Sequence, residues 1–222
     1  MTQETIFQSE GIVLQSIPFK ERDRILTLFT KEGGVLKLFM KGKFAFQNGL
    51  SERFTVGDFL YSQGKGEMFR FCDGSVVDQN LELRTSWEVL EMGEKMCTTL
   101  LKSQLPEKEA PELYGFLISF LKKIPLAPSL DTLWSAFLVK LLKHEGILQL
   151  DPHCSQCYEK VSLRYGGERF CKLHAPRDSI EMTQVEEKHL ERLYEERGFE
   201  GLLRETLSKE FADKVETLFS QI

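Results

Sequence analysis

Short apolar runs alternate with turn-forming residues over residues 6–77. Side chains of a β-strand point alternately to its two faces, so apolar residues at every second position predict a strand with one buried face. The Gly33–Gly34 pair between two such runs predicts a hairpin turn, because glycine tolerates positive φ. The five strand candidates are 10–19, 24–30, 35–43, 54–63 and 67–77. Five short strands in one continuous segment predict a small barrel.

From about residue 81 the apolar positions repeat with the period of a helix. One apolar stripe covers residues 113–124 and another covers residues 130–142. Thr85 and Thr183 each precede a glutamate by three residues, which is the spacing of an N-terminal capping box. We expect the stripes to form the core of a helical domain.

The third strand candidate places cations beside an aromatic ring. In VLKLFMKGKF, residues 35–44, alternation puts Val35, Lys37, Phe39, Lys41 and Lys43 on one face and Leu36, Leu38 and Met40 on the other. Single-stranded nucleic acid is held by this combination, because cations follow the phosphates and rings stack on the bases. The alternative is a half-exposed strand with ordinary solubilising lysines, and the pattern alone does not separate the two.

The cations are concentrated locally, because the chain as a whole carries a net charge of −5. Residues 1–80 contain ten Lys or Arg and ten Asp or Glu, whereas residues 81–222 contain nineteen and twenty-four. Within residues 19–46, seven basic side chains outnumber three acidic ones. The acidic pairs Glu186–Glu187 and Glu195–Glu196 are interpreted as solvated helix faces.

A metal-ligand pattern interrupts the helices at residues 150–178. A Cys-x2-Cys pair is followed by thirteen intervening residues and then by a Cys-x2-His pair. Two such pairs joined by a hairpin can bring four soft ligands into the tetrahedron that Zn²⁺ prefers. The candidate ligands are Cys154, Cys157, Cys171 and His174. We therefore predict a zinc finger inserted in the helical region.

Four protein ligands leave no open position for water, so the predicted zinc site is structural rather than catalytic. His153 is a competing ligand, but sequence neighbours rarely reach one ion together. The sequence contains no phosphate-binding loop, dinucleotide-binding, serine-hydrolase or zinc-protease motif, and we expect a binding protein rather than an enzyme. It also lacks a signal-peptide layout and a long apolar segment, which predicts a cytoplasmic protein without a membrane span.

These features in this order resemble a known family. The opening EGIVLQSIPFKERDRILTLFTKEGGVLKLFMKGKF, residues 10–44, precedes the remaining strands, the helices and the Cys-x2-Cys and Cys-x2-His insertion. The chain resembles, over nearly its whole length, the bacterial recombination mediator family RecO. It departs from the family pattern at His174, where many members have cysteine, and at residues 41–54, which are less basic than is common in the family.

The resemblance implies an α+β fold, with an N-terminal five-stranded OB-fold barrel at residues 1–80 and a helical domain at 81–222 that carries the zinc finger. It implies a non-enzymatic DNA repair and recombination mediator that binds and anneals single-stranded DNA at the bacterial nucleoid. Double-stranded DNA is left open as a further ligand. Carried over by motif, the DNA-binding candidates are Arg22, Arg24, Lys37, Phe39, Lys41 and Lys43.

The resemblance also implies protein partners, namely the C-terminal tail of single-strand-binding protein and RecR, with which the family promotes RecA loading on coated DNA. An acidic tail needs an apolar slot with cations at its rim, and Lys140 and Lys143 lie on the polar side of the helix that carries Trp134. The alternative for both is a solvated surface lysine. An alternative function is a zinc-finger adaptor whose barrel contacts protein rather than DNA, and a zinc-dependent nuclease is a third hypothesis.

Overall fold

A computed structural model describes residues 5–45, 49–64, 66 and 68–222. The chain divides into two compact units, residues 1–125 and residues 126–222. The first unit contains a barrel and two helices, and the second contains helices with a small sheet. Strands give way to helices after Asp78, close to the predicted position, whereas the compact units divide later because two helices pack on the barrel.

Five strands close the barrel in the order β1-β2-β3-β5-β4, which is a five-stranded barrel of the OB type. The strands are β1 Ile6–Phe19, β2 Asp23–Thr30, β3 Gly34–Met40, β4 Val56–Ser62 and β5 Phe69–Asp78. β3 and β5 pair in parallel, and the other neighbours pair antiparallel. The predicted barrel is therefore confirmed. Glu67, the first residue of the fifth strand candidate, lies outside the described residues.

The third strand is shorter than predicted. β3 ends at Met40, and residues 42–45 form the short helix α1, Gly42–Ala45. The Asp23 Oδ1 atom accepts a hydrogen bond of 2.9 Å from the Gly42 N–H, which fixes the backbone where it leaves the sheet. A tertiary contact thus ends the strand at a place where the apolar and polar alternation continues.

The barrel interior is filled by the inward side chains of all five strands. The β2–β3 hairpin contributes Leu26, Leu28, Leu36 and Leu38, which are almost completely buried. Phe29 points to the opposite face of β2 and is also fully buried, because its ring packs edge-on against Tyr114 with centroids 5.9 Å apart. Both faces of this strand are covered for that reason.

Gly34 closes the predicted hairpin between β2 and β3 and confirms the turn at this position. Its φ is +65°, and a Cβ atom there would lie 2.0 Å from the Lys108 carbonyl oxygen. Both the backbone conformation and the close approach therefore require glycine. The approaching segment pairs with β3, since the Glu107 N–H donates to the Val35 carbonyl oxygen at 2.8 Å. This segment covers Val35, which is buried although it shares the parity of the exposed Lys37.

Helices α2, Trp87–Ser103, and α3, Pro111–Leu121, complete the first unit. The capping box predicted at Thr85 is wrong, because the side chain that accepts from the first turn of α2 is Ser86. The Tyr114 hydroxyl donates to Glu10 Oε1 at 3.1 Å and so ties α3 to β1. Burial, together with the Glu10 carboxylate, raises the pKa of Tyr114, so this hydroxyl keeps its proton.

The second unit is built around helix α4, whose residues are buried on nearly every side. Its helices are α4 Leu130–His144, α5 Gln184–Glu195, α6 Phe199–Leu202 and α7 Lys209–Ser220. Its sheet consists of β6 Leu163–Tyr165, β7 Glu168–Phe170 and β8 Ile180–Glu181, in the order β7-β6-β8. The capping box predicted at Thr183 is present in full. Within the described residues, every helix falls short of the length or the apolar character that a bilayer crossing needs.

Candidate nucleic-acid interface and metal centre

The predicted basic strand face is only partly on a strand. Lys37 and Phe39 lie on β3, where Lys37 is exposed and Phe39 is half-buried. Lys41 follows the end of β3, and Lys43 lies in α1 with its ammonium 4.5 Å from the Phe44 ring centroid. The expectation that all three lysines share one strand face is therefore wrong, because the chain leaves the sheet after Met40. They remain within one short segment at the end of the barrel.

Apolar side chains on β1 and β2 extend the surface around Phe39. Strand register places Phe39 opposite Ile25, and Ile25 opposite Ile17, so the three form a row across the sheet. The Phe19 ring meets the Phe39 ring edge-on, with centroids 5.9 Å apart. Phe19 remains 38% exposed and Ile17 54% exposed, which leaves apolar area available to a ligand. We call Ile17, Phe19, Ile25 and Phe39 the outer patch.

Sequence reasoning identified Phe39 and missed the other three members of the outer patch. A signal for two of them was present, because Ile17 and Phe19 alternate with Pro18 at the end of the first strand candidate. Lys20, directly after Phe19, was also missed, and its ammonium lies 5.5 Å from the Phe19 ring centroid. The pairing of these residues with Phe39 depends on strand register, which the pattern did not specify.

The two arginine candidates lie beside the same end of the barrel. Arg22 is exposed in the turn between β1 and β2, and its Cβ approaches Gly42 so closely that a side chain there would clash. Arg24 lies on β2, and its Nη1 donates to Ser16 Oγ at 2.9 Å. Arg22, Lys41 and Lys43 are therefore exposed cations near the outer patch, while Arg24 is half-buried and engaged within the barrel.

The predicted metal ligands lie on a hairpin that the sequence folds locally. Strands β6 and β7 pair antiparallel and turn at Gly166–Gly167, as two glycines between short strands predict. This pairing brings the Cys154–Cys157 knuckle close to the Cys171–His174 knuckle, since the Ser155 N–H donates to the Arg169 carbonyl oxygen at 2.9 Å. Within the second knuckle, the His174 N–H donates to the Cys171 carbonyl oxygen at 3.0 Å.

All four predicted ligand atoms are brought together, within 4.8 Å of one another. The Nδ1 atom of His174 lies 3.3 Å from Cys171 Sγ and 3.7 Å from Cys154 Sγ, and Cys157 Sγ lies 3.7 Å from Cys171 Sγ. His153 instead contacts the Asp151 carboxylate at 2.6 Å. The chain therefore contains a Cys3His cluster that can hold a metal ion.

The thiols of this cluster have unequal acidity. Burial opposes ionisation of Cys154, but hydrogen bonds from the backbone at Gln156, Cys171 and Cys157 lower its pKa to about 6. For Cys157, a backbone hydrogen bond at Glu159 opposes the rise, but burial and the neighbouring cysteines raise the pKa to about 11. Packing several thiolates together is unfavourable without a cation between them, which is the electrostatic situation that a divalent metal relieves.

A buried ion cluster supports the hairpin from the side of α5. Arg164 is fully buried and donates from Nε and Nη2 to the two Glu187 carboxylate oxygens, at 3.0 and 2.9 Å. Arg169 Nη2 donates to the same carboxylate at 2.5 Å. Burial, and then the neighbouring Arg164, lowers the pKa of Arg169.

The interpretation of Glu186–Glu187 as a solvated face is therefore wrong, because Glu187 is only 12% exposed and pairs with both arginines. Glu186 is likewise largely buried and accepts from Lys214 Nζ at 2.7 Å. The sequence pattern showed two acidic residues in the first turn of a helix and contained no signal for their partners.

Lys140 and Lys143 lie on α4, and their ammonium groups reach the C-terminal end of α5. Both ammonium groups donate to the Tyr194 carbonyl oxygen, at 2.9 and 2.8 Å, and Lys140 also donates to the Glu196 carbonyl oxygen. Lys143 Nζ lies 4.3 Å from the Tyr194 ring centroid. The two lysines thus bind the unpaired carbonyls at the end of a helix, a favourable place for cations.

The chain thus combines an OB-type barrel, which carries exposed cations and aromatic rings on its outer surface, with helices and a Cys3His hairpin. The family described as Recombination protein O N terminal matches residues 1–80. The DNA repair protein RecO of Chlamydia pneumoniae is 30% identical over 201 residues, which cover 87% of this chain and 79% of that protein. RecO of Chlamydia muridarum is 28% identical over 95% of this chain and 93% of its own length.

RecO of Clostridium acetobutylicum is also similar, at 27% identity over 71% of this chain and 65% of its own length. The similarity covers the barrel as well as the second unit. The chain belongs to the RecO family of DNA repair proteins.

Proposed function

We propose that this protein binds single-stranded DNA through the outer patch and the cations beside it. The observation that carries the proposal is the half-exposed Phe19–Phe39 pair, because a partly exposed ring can stack on a base. Lys37, Lys41 and Lys43 are exposed near this pair and can neutralise phosphates along the strand. A base stacked on a phenylalanine contributes about 1–3 kcal/mol, whatever its identity.

We further propose that DNA binding leads to annealing. Bringing complementary strands together requires charge neutralisation and bases that stay available for pairing, and it requires no chemical step. The function is therefore that of a non-enzymatic mediator that handles DNA coated by single-strand-binding protein. The RecO family membership supports this role, together with RecR as partner and RecA loading as outcome.

A charge reversal tests the proposed DNA face. The triple change Lys37→Glu, Lys41→Glu and Lys43→Glu should weaken single-strand binding and reduce the slope of log affinity against log salt by about 2, since each phosphate contact contributes about 0.7. Fluorescence anisotropy with labelled oligonucleotides at several salt concentrations measures both quantities. The matched control makes the same charge change at the exposed Lys102, Lys188 and Lys209.

An unchanged slope in the triple variant, or an equal loss in the control, would place the DNA site elsewhere. The ring contribution is tested separately by Phe39→Leu. This change should weaken single-strand binding with the salt slope preserved, because no phosphate contact is removed.

We propose Zn²⁺ as the metal of the Cys3His cluster, because three thiolates and an imidazole are soft ligands that favour zinc in a closed tetrahedral site. With all four positions supplied by the protein, the ion supports folding. Elemental analysis of protein purified without chelator should find one zinc per chain.

Exposed apolar side chains on the knuckles favour the second candidate function, a protein-interaction adaptor. Leu173 and Tyr158 are 88% and 77% exposed, and each lies next to metal-ligand residues. A contact with protein through these two exposed side chains is compatible with DNA binding by the barrel. The adaptor alone is favoured if the purified protein shows no salt-dependent binding to single strands.

Lys140 and Lys143 stay a prediction as partner-binding residues for the acidic tail of single-strand-binding protein. Their ammonium groups already bind the carbonyls at the end of α5. A carboxylate ligand would therefore add to existing hydrogen bonds, and the partner contact that we propose includes the α5 terminus itself.

A further inference from the structure

The barrel has a second surface feature, a cavity at the end where β1 begins and β4 ends. Its volume is about 360 Å³, and we call it the mouth cavity. Its aromatic members are Phe7, Tyr61 and Phe69, and its acidic members are Glu32, Glu107 and Glu109. The mouth cavity and the outer patch lie at opposite ends of β1, since Phe7 is near its start and Phe19 is its last residue.

Three rings form the floor of the mouth cavity. Phe7 and Tyr61 are direct cross-strand partners and stack with centroids 5.7 Å apart and planes inclined by 20°. Phe69 meets both rings edge-on, at 5.9 Å from Phe7 and 5.2 Å from Tyr61. Tyr61 and Phe69 are buried, but Phe7 is 39% exposed. The cavity therefore has an aromatic floor with one accessible ring.

The charged side chains among the described lining residues all have one sign. Glu32, Glu107 and Glu109 are exposed, and no lysine or arginine is found among the lining residues that the structure describes. Glu32 accepts a hydrogen bond from Ser9, and Glu107 is held by its N–H bond to Val35 with φ of +57°. Burial and then the Glu32 carboxylate raise the pKa of Tyr61, as expected in a negative potential.

We propose that the mouth cavity binds an arginine side chain presented by a protein partner. A guanidinium is planar and always charged, and it can stack on an aromatic face while it donates to carboxylates at the edge. The mouth cavity offers both at once, and its volume is at the small end of ligand sites, about 300–1,000 Å³, which suits a single side chain. The three carboxylates repel DNA phosphates, so the same barrel separates a site for nucleic acid from a site for a cationic partner.

The experiment titrates isotopically labelled full-length protein with a capped Gly-Arg-Gly peptide and follows the signals of Phe7, Tyr61 and Phe69 by NMR. The control ligand is Gly-citrulline-Gly, which keeps the shape of arginine and removes its charge. We expect saturable shifts with the arginine peptide. The citrulline peptide should bind about tenfold more weakly, because it cannot form ion pairs with the three partly exposed glutamates. The change Phe7→Leu keeps an apolar side chain but removes the ring, and it should weaken the affinity for the arginine peptide by about threefold.

Matched variants separate the mouth cavity from general attraction to an acidic protein. Glu32→Gln, Glu107→Gln and Glu109→Gln together should abolish the preference for arginine over citrulline, whereas the exposed Glu82→Gln, Glu91→Gln and Glu200→Gln should preserve it. None of these changes should weaken single-strand DNA binding. Equal shifts with both peptides, or an intact preference in the first triple variant, would overturn the proposal. The proposal would also be overturned if MgCl₂ gave saturable shifts of the same signals while the arginine peptide shifted none of them.

Discussion

The barrel and the hairpin that carries the Cys3His cluster differ in what holds them together. The barrel core consists of apolar side chains from every strand. The hairpin at residues 150–178 buries Phe170 together with two arginines and two cysteines of the Cys3His cluster. Burial of apolar area stabilises a barrel without further conditions, whereas a buried charge or thiolate is favourable only when its partner is present. The hairpin should therefore depend on its ligand and its ion pairs, and the barrel should not.

Loss of the metal should produce the largest difference between the two regions. Cys157→Ser should remove the ion and unfold the hairpin locally, since binding of structural zinc contributes about 10–16 kcal/mol in isolated fingers. Hydrogen exchange should show lost protection at residues 151–178 and unchanged protection in the barrel strands. The control Cys72→Ser alters a half-exposed thiol outside the cluster and should retain the metal. A Cys157→Ser variant with one bound metal per chain would contradict the ligand assignment.

Removal of the Glu187 charge should have the next largest effect, again confined to the second unit. Glu187→Gln removes the carboxylate that the buried Arg164 and Arg169 share, and a broken buried ion pair costs about 3–5 kcal/mol. Urea unfolding with metal present measures the change. Glu191→Gln is the matched control, because its carboxylate is 46% exposed and 3.9 Å from Arg169, so its loss should cost under about 1 kcal/mol. Equal losses for the two variants would show that the cluster is not the support of the hairpin.

Helix caps allow the same change to be compared in the two units. Ser86→Ala at α2 and Thr183→Ala at α5 should each cost about 1 kcal/mol, because each side chain accepts a hydrogen bond from the first turn. Thr85→Ala should cost less, since the Thr85 hydroxyl instead donates to the Glu82 carbonyl oxygen at 2.8 Å. Thermal unfolding followed by circular dichroism ranks the three variants. A larger loss of stability for Thr85→Ala than for Ser86→Ala would support the capping box predicted at Thr85.

The smallest expected effect concerns the pH dependence of the second unit. Burial, and then repulsion by Lys143, lowers the pKa of Lys140 to about 8, below its usual 10.5. The unfolded chain therefore binds more protons between pH 8 and 10.5, and the free energy of unfolding should rise with pH across that window. Lys140→Met should remove this contribution, which solvent screening of the half-exposed side chain keeps small. Identical pH profiles for the two proteins would contradict the lowered pKa.

Much of the fold was predicted from local patterns, and the errors occur at tertiary contacts. The strands of the barrel, the closing turn at Gly34 and the cap at Thr183 follow from periodicity and turn chemistry, which operate over a few residues. The end of β3 was misplaced, because the Asp23–Gly42 hydrogen bond joins residues nineteen apart. Val35 was expected beside the exposed lysines, but the segment before α3 covers it.

The candidate sites divide in the same way. The three cysteines and the histidine of the Cys3His cluster are close in sequence and joined by one hairpin, so their spacing was sufficient to predict that they meet. Phe39 was identified on its own strand, while its neighbours Ile17 and Ile25 on other strands were not. Glu187 was interpreted as solvated, since its partners lie on a different element.

Local pattern was sufficient to predict the five strands, the helices of the second half and the Cys3His cluster, because each is encoded by residue types at short and regular spacing. Which side chains meet across strands and helices depends on the tertiary fold. The Phe19–Phe39 pair, the burial of Arg164 against Glu187 and the acidic mouth around Phe7 all arise from residues far apart in the chain. Strand register and helix packing set these contacts, and both are chosen by the total burial of the folded molecule rather than by any local pattern.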